Sequence, residues 1–228
     1  MIHPVKIDPQ HRYWTPPKVR RYGFSEICGL MGVTRPNDFH TEEGRAQGVA
    51  LHKWFIFLAS GKAPNTRPDE RIAGRVEGIR KFLAASPFNL TDGEKPRYDP
   101  VTDTACTPDV WGQRGIWSWV IDAKRGAKTK VHALQTACQK IALRSNEFDA
   151  QKRGALYLRD GGYRLDEHTD PADLTRWKAI AAGFHAMTVE ERAMFAAAQT
   201  EADLPYTMHA RIIGNTIQNA FAARAHYL

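Results

Sequence analysis

Apolar positions along this chain follow two rhythms in turn. From Glu42 to Ser60 and from Pro68 to Ala85 they recur every three to four residues, which predicts two amphipathic helices. Gly61 and Pro64 close the first; Ile72, Val76, Ile79 and Leu83 make the core stripe of the second. From Lys95 the rhythm shortens. "RYDPVTDTACTPDVWG" reads as a pair of extended segments, with Pro108 ending regular pairing. A turn at 113 to 115 leads into a strand from Ile116 to Lys124, and a helix from Lys130 to Leu143 turns Val131, Leu134, Cys138, Ile141 and Ala142 inward. Residues 152 to 158 and 163 to 165 flank Asp160-Gly161-Gly162, a hairpin signal. Upstream, Ser25 is the expected N-cap of a short helix; from Pro171 the chain reads as mostly helical, with an Ala-rich end. This order predicts a mixed α/β fold, a central mixed β-sheet flanked by helices. No internal repeat divides it, so residues 1–228 read as a single domain, with a core at about 40–165 and a C-terminal helical addition at about 170–228.

Composition narrows the class. Of the 228 residues 43% are hydrophobic, enough for a sizeable core. No run of about 18 apolar residues offers a membrane span, and the start, "MIHPVKIDPQ", carries no apolar secretory stretch. Cys28, Cys106 and Cys138 are scattered without CxxC spacing, which fits a reducing cytoplasm. Three such thiols do not supply the four ligands of an iron–sulfur cluster. No Walker-type phosphate loop is present, so no nucleotide cofactor is expected. The formal net charge is +7, and between Lys124 and Arg153 eight basic residues face two acidic ones, so this window holds six of the seven. Such a patch reads either as a site for a polyanion such as nucleic acid or as a solvated helix face.

The chemistry concentrates in "TPDVWGQRGIWSWVIDAKRGA" (107–127). An apolar strand runs into Asp122 and, two residues on, Lys124, which therefore share a face. Asp109 lies at the end of the preceding extended segment, and a hairpin returns Asp122 towards it. Two carboxylates sharing a site repel unless a proton or a cation intervenes; hard oxygen ligands select Mg²⁺ or Mn²⁺. The chain has only one acidic-x-Lys triplet, and it sits here. Taken alone, such a triplet also reads as a surface ion pair.

Four segments together resemble the PD-(D/E)XK nuclease superfamily, in particular its RecB-like branch with phage exonuclease-type members. They are "GVALHKWFIFLASGK" (48–62), "CTPDVWG" (106–112), "VIDAKRG" (120–126) and "HALQTACQKIAL" (132–143), in the family's order. "HRYW" and "GFSEICGLMGV" resemble the leader of such phage proteins, and the likeness spans roughly residues 11 to 165. The resemblance implies a restriction-endonuclease-like core with extra N- and C-terminal helices. It also implies that His52, Asp109 and Asp122 bind the metal, that the Ala123 backbone carbonyl adds a ligand, and that Lys124 is the catalytic lysine. Gln135 matches the glutamine of the Gln-x-x-x-Tyr motif, which contacts DNA or orients the lysine region; the tyrosine position is Gln139 here.

By periodicity alone His52, with Val49, Phe55 and Ile56 around it, reads as a core histidine, and Gln135 and Gln139 read as a polar helix face. Lys128 and Lys130 read as phosphate contacts or as a solvated loop. The resulting expectation is a Mg²⁺- or Mn²⁺-dependent deoxyribonuclease with DNA as partner, acting in a bacterial or phage-infected cytoplasm as a phage or mobile-element protein. A homo-oligomer or a recombination partner protein is compatible with it. The alternative is a DNA-binding or assembly module on the same fold that no longer cleaves.

Overall fold

Thr41 starts the first long helix: its hydroxyl accepts the backbone N–H of Gly44, and Glu42 and Glu43 occupy the first turn, where the helix dipole favours acids. The computed structural model describes residues 3–34, 41–62 and 65–193. In chain order its elements are β1 (Lys6–Ile7), β2 (Tyr13–Thr15), β3 (Val19–Gly23), α1 (Phe24–Leu30), α2 (Glu42–Ala59), α3 (Glu70–Ala85), β4 (Phe88–Gly93), β5 (Arg97–Asp99), β6 (Thr104–Cys106), β7 (Val110–Arg114), β8 (Trp117–Lys124), α4 (Val131–Arg144), β9 (Lys152–Arg159), β10 (Gly162–Glu167) and α5 (Ala172–Ala186). Pro64 and everything after Ala193, including the Ala-rich end, lie outside the described residues.

The fold is mixed α/β. A central five-stranded sheet has the order β10-β9-β8-β7-β4, with β8 and β9 parallel and the other neighbours antiparallel. On one face α2 and α3 bury Leu51, Phe55, Ile72, Val76, Ile79 and Phe82 against Val110, Trp119, Ile121, Ala123, Leu156 and Leu158. Each Val, Leu, Ile or Phe among them contributes about 1.5–3 kcal/mol when fully buried. Phe82, as fully buried as Ile79, joins the α3 stripe, and Leu83 flanks it. On the other face Trp111 and Val120 pack against Leu143 and Ala150.

A second five-stranded sheet, β1-β2-β3-β6-β5, accompanies the expected central one. The N-terminal addition is therefore mostly strands, not helices. Its one helix, α1, begins at Phe24, so Ser25 is not the N-cap. The cap is Gly23, and the carboxylate of Glu26 takes the Gly23 backbone N–H, the second half of a capping box.

α1, α4 and α5 share a third cluster, in which Phe24, Ile27, Cys28, Cys106, Ala137, Cys138, Trp177 and Phe184 are buried. The three cysteines, far apart in sequence, are all buried free thiols. Asn146, just past α4, donates to the carbonyl of Tyr98 in β5 and ties this layer to the second sheet.

Both tight turns of the central sheet use a glycine at positive φ. Gly115 (φ +62) opens the β7–β8 turn, which lies at 115–116 because Gln113 and Arg114 still pair with Ser118 and Trp117. Gly161 (φ +66) shapes the β9–β10 turn. That turn nests on α3, where the Gly161 N–H donates to the Gly74 carbonyl at 2.9 Å.

Candidate active site at the end of the β7–β8 ladder

The β7–β8 register pairs Val110 with Ile121. One step further along the same ladder sets Asp109 opposite Asp122, at the point where β7 begins. Both acids are buried, Asp109 at 6% exposure and Asp122 at 1%. Asp109 Oδ2 accepts the backbone N–H of Ala123 at 2.7 Å. The N–H and C=O of a strand residue leave by the same edge, so the Ala123 carbonyl also faces the Asp109 side, past the last ladder pair.

Asp122 and Lys124 do share a face, the one that α4 covers. Lys124 Nζ lies 2.5 Å from Asp122 Oδ2. It also donates to Gln135 Oε1 at 2.8 Å. The amide groups of Gln135 and Gln139 donate to Asp122 Oδ1 at 3.0 and 2.8 Å. The two glutamines, one helical turn apart, thus hold the carboxylate between them. For Gln139 this corrects the expectation of a DNA contact: at 1% exposure it reaches no phosphate, because it lies between α4 and β8 with its amide on Asp122. Gln135 is half-buried and bonded to both Lys124 and Asp122, so it orients the lysine.

His52 approaches from α2. Its Nε2 is 3.4 Å from Asp109 Oδ2 and its Nδ1 3.7 Å from Glu94 Oε1, with the ring side chain 30% exposed. The histidine therefore belongs to the site rather than to the apolar core of α2. Burial pushes the Asp109 carboxyl up to about 6; the His52 imidazole opposes that push, Asp122 adds to it, and Lys124 and the Ala123 amide oppose it.

Glu94 escaped the sequence reading because it sits in "TDGEK", a turn signal without periodicity. A bulge in β4 between Leu90 and Asp92 shifts the register there. The Glu94 N–H then reaches the carbonyls of Pro108 and Asp109 at 3.0 and 3.1 Å. Gly93 permits the approach: a Cβ there would stand 2.5 Å from the Asp109 carbonyl oxygen and 2.9 Å from Ile56. Gly93→Ala is expected to displace the Asp109 backbone and to perturb the site while β4 stays paired. Amide chemical shifts of residues 108 to 110 and of Ala123 check this, and unchanged shifts would contradict it. Arg125 was also missed as a brace: its guanidinium donates to Gln47 Oε1 at 2.5 Å and fills the space beside Gly44.

The two remaining candidates lie outside this cluster. Lys128 pairs with Asp166 at 2.8 Å, and Lys130 is the exposed N-terminal cap of α4. Nearby, His132 Nδ1 is 2.8 Å from the Tyr157 hydroxyl. Burial, helped by Lys124, pushes the His132 imidazole down to about 4 from 6.5. A histidine lowered in the folded state takes up its proton first in the unfolded chain. Its stabilising contribution is complete above about pH 6.5 and is lost as the pH falls towards about 4. Denaturation midpoints across that window should fall less steeply for His132→Gln than for the unaltered chain; parallel curves would count against the assignment.

The donor set is two carboxylates, an imidazole and a backbone carbonyl. Two buried oxygens, Asp122 Oδ2 and Gln139 Oε1, lack a hydrogen-bond donor, the former meeting Lys124 as an ion pair. Among the described residues no group of three or more His, Cys, Asp or Glu side chains is placed to hold a metal ion. The oxygens of Asp109, Asp122 and the Ala123 carbonyl are donors of the hard kind that Mg²⁺ takes alongside its own waters, and the His52 imidazole lies beside them.

No protein-family model and no curated protein matches the chain. Among the described residues no helix is long and apolar enough to cross a membrane.

Proposed function

We propose that the chain is a divalent-cation-dependent deoxyribonuclease of the PD-(D/E)XK type, RecB-like, acting on DNA in a bacterial or phage-infected cytoplasm. One observation carries the reading: Asp109 and Asp122 meet at the end of the β7–β8 ladder, the Asp109 carboxylate on the Ala123 N–H and the Lys124 ammonium 2.5 Å from Asp122. Mg²⁺ or Mn²⁺ held by His52, Asp109, Asp122 and the Ala123 carbonyl would neutralise charge on a phosphate oxygen and acidify a water.

The chain's own residues do the rest. Gln135 and Gln139 fix the orientation of Asp122 and so of the carboxylate edge turned to the substrate. Lys124, held from the other side by Gln135, presents a positive charge where negative charge grows on the phosphate in the transition state. The Ala123 N–H locks Asp109 in place. Arg125, braced on Gln47, keeps the strand end from drifting away from α2.

A second reading has its own observation: both oxygens of Asp122 already meet groups of this chain, Lys124 on one side and two amides on the other. A DNA-binding or assembly module that no longer cleaves would have the same closed arrangement. Incubation with linear, circular and single-stranded DNA, each with Mg²⁺, Mn²⁺ or EDTA, separates the two. Cleavage that needs the cation supports the nuclease; tight duplex binding with no cleavage under either cation supports the module. Cutting of closed circles would identify an endonuclease and digestion of linear DNA alone an exonuclease.

A further inference from the structure

Lys124, Tyr157 and Arg164 form one row across three strands. Tyr157 in β9 is the register partner of Lys124 in β8 and of Arg164 in β10. Directly opposed residues share a face, so the three side chains leave the same face of strands about 4.8 Å apart. The row opens onto a cleft of about 270 Å³ lined by Arg125, Lys128, Arg159 and Arg164 together with Tyr157. Asp166 bonds two of these cations, Lys128 at 2.8 Å and Arg164 at 2.6 Å, and so spaces them without cancelling the charge of the four. Tyr157 is 5% exposed and meets the cleft in its wall, with its hydroxyl held 2.8 Å from His132 Nδ1 and the two rings 5.6 Å apart.

We propose that this cleft seats a backbone phosphate of the DNA strand, a few nucleotides from the one at Lys124, with the Tyr157 hydroxyl donating to it and His132 holding that hydroxyl; this rests on the nuclease reading for its polymer and extends it to a second phosphate. With its proton on Nδ1, the His132 ring donates to the phenol oxygen and leaves the phenol proton for an anion. Arg164, held through Nε and Nη2 by Asp166, adds its charge and its Nη1 group for a phosphate oxygen. An open, cation-lined cleft that continues the row from Lys124 suits an extended polyanion better than a small enclosed ligand. Arg125 and Lys128, three residues apart on the loop after β8, bring the two sites under one backbone segment.

The test uses the full chain and a closed circular duplex, which has no terminal phosphate, in EDTA over a range of salt concentrations. Tyr157→Phe removes only a neutral donor, so affinity should fall several-fold with an unchanged salt dependence. Arg164→Gln should weaken binding and lower the slope of log affinity against log salt by about one. Lys128→Gln, a change on the exposed rim that leaves the sheet intact, should lower the slope likewise. Wild-type affinity and slope in all three variants would overturn the proposal. The two readings fail separately: no cleavage with Mg²⁺ or Mn²⁺ but altered binding in the variants would remove the nuclease and leave the cleft. Cation-dependent cleavage with unaltered binding in the variants would do the reverse.

Discussion

Asp122→Asn should lower cation-dependent DNA cleavage on the order of 10³-fold or more while DNA binding in EDTA is kept or strengthened. The substitution keeps the volume and one acceptor oxygen, so the amides of Gln135 and Gln139 retain a partner on the 1%-exposed side chain. What it removes is the charge that Lys124 meets at 2.5 Å and that a cation would share with Asp109. Asp109→Asn should act in the same direction, because its carboxylate is held by the Ala123 N–H and faces His52 at 3.4 Å. Binding should survive because neither acid attracts a phosphate; removing negative charge beside one favours the complex. Cleavage time courses with the same DNA, cation and protein concentration for each variant measure the loss. Full activity in both variants would end the proposed mechanism, whatever the fold.

The second large effect is on stability. Trp177→Ala should cost about 3–5 kcal/mol, the range for emptying a buried aromatic site. Trp177 is fully buried in the cluster shared by α1, α4 and α5, and its ring lies 5.1 Å from that of Phe24. Its indole Nε1 has no hydrogen-bond partner, so Trp177→Phe forfeits volume but no bond and should cost markedly less. The same cluster holds Ala137 and Cys138, directly before Gln139. Loosening it should therefore also release Asp122, and cleavage by Trp177→Ala should fail at a lower temperature than unfolding of the remaining sheet. Chemical denaturation of the two variants gives the energies. Equal midpoints for Trp177→Ala and the unaltered chain would show that α5 is not an anchor of this layer.

The sequence already carried the long helices, the two hairpins of the central sheet and the candidate residues at their end, though not the strands β1 to β4. Helical spacing marked α2 and α3 to within two residues at either end, and the Asp-Gly signal placed the β9–β10 turn. Strand periodicity put Asp122 beside Lys124, and the hairpin brought Asp109 opposite them. These are local facts: side chains two apart on a strand share a face, and a tight turn sets the register of the strand leaving it.

Local pattern could not show which polar groups would be buried. Gln139 read as part of a polar helix face because its burial depends on α4 lying over β8, where its amide meets Asp122. Glu94 and Gly93 matter only because a bulge in β4 carries them to Asp109, and irregular pairing leaves no period to read. The Lys124–Tyr157–Arg164 row joins three strands whose register is set by long-range pairing. Sequence by itself determined the long helices, the strands of the β7–β8 and β9–β10 hairpins, and the residue types gathered at positions 109, 122 and 124. Tertiary structure alone decided which neighbours restrain that chemistry, because burial and cross-strand contact arise from packing between distant segments, not from the spacing within any one of them.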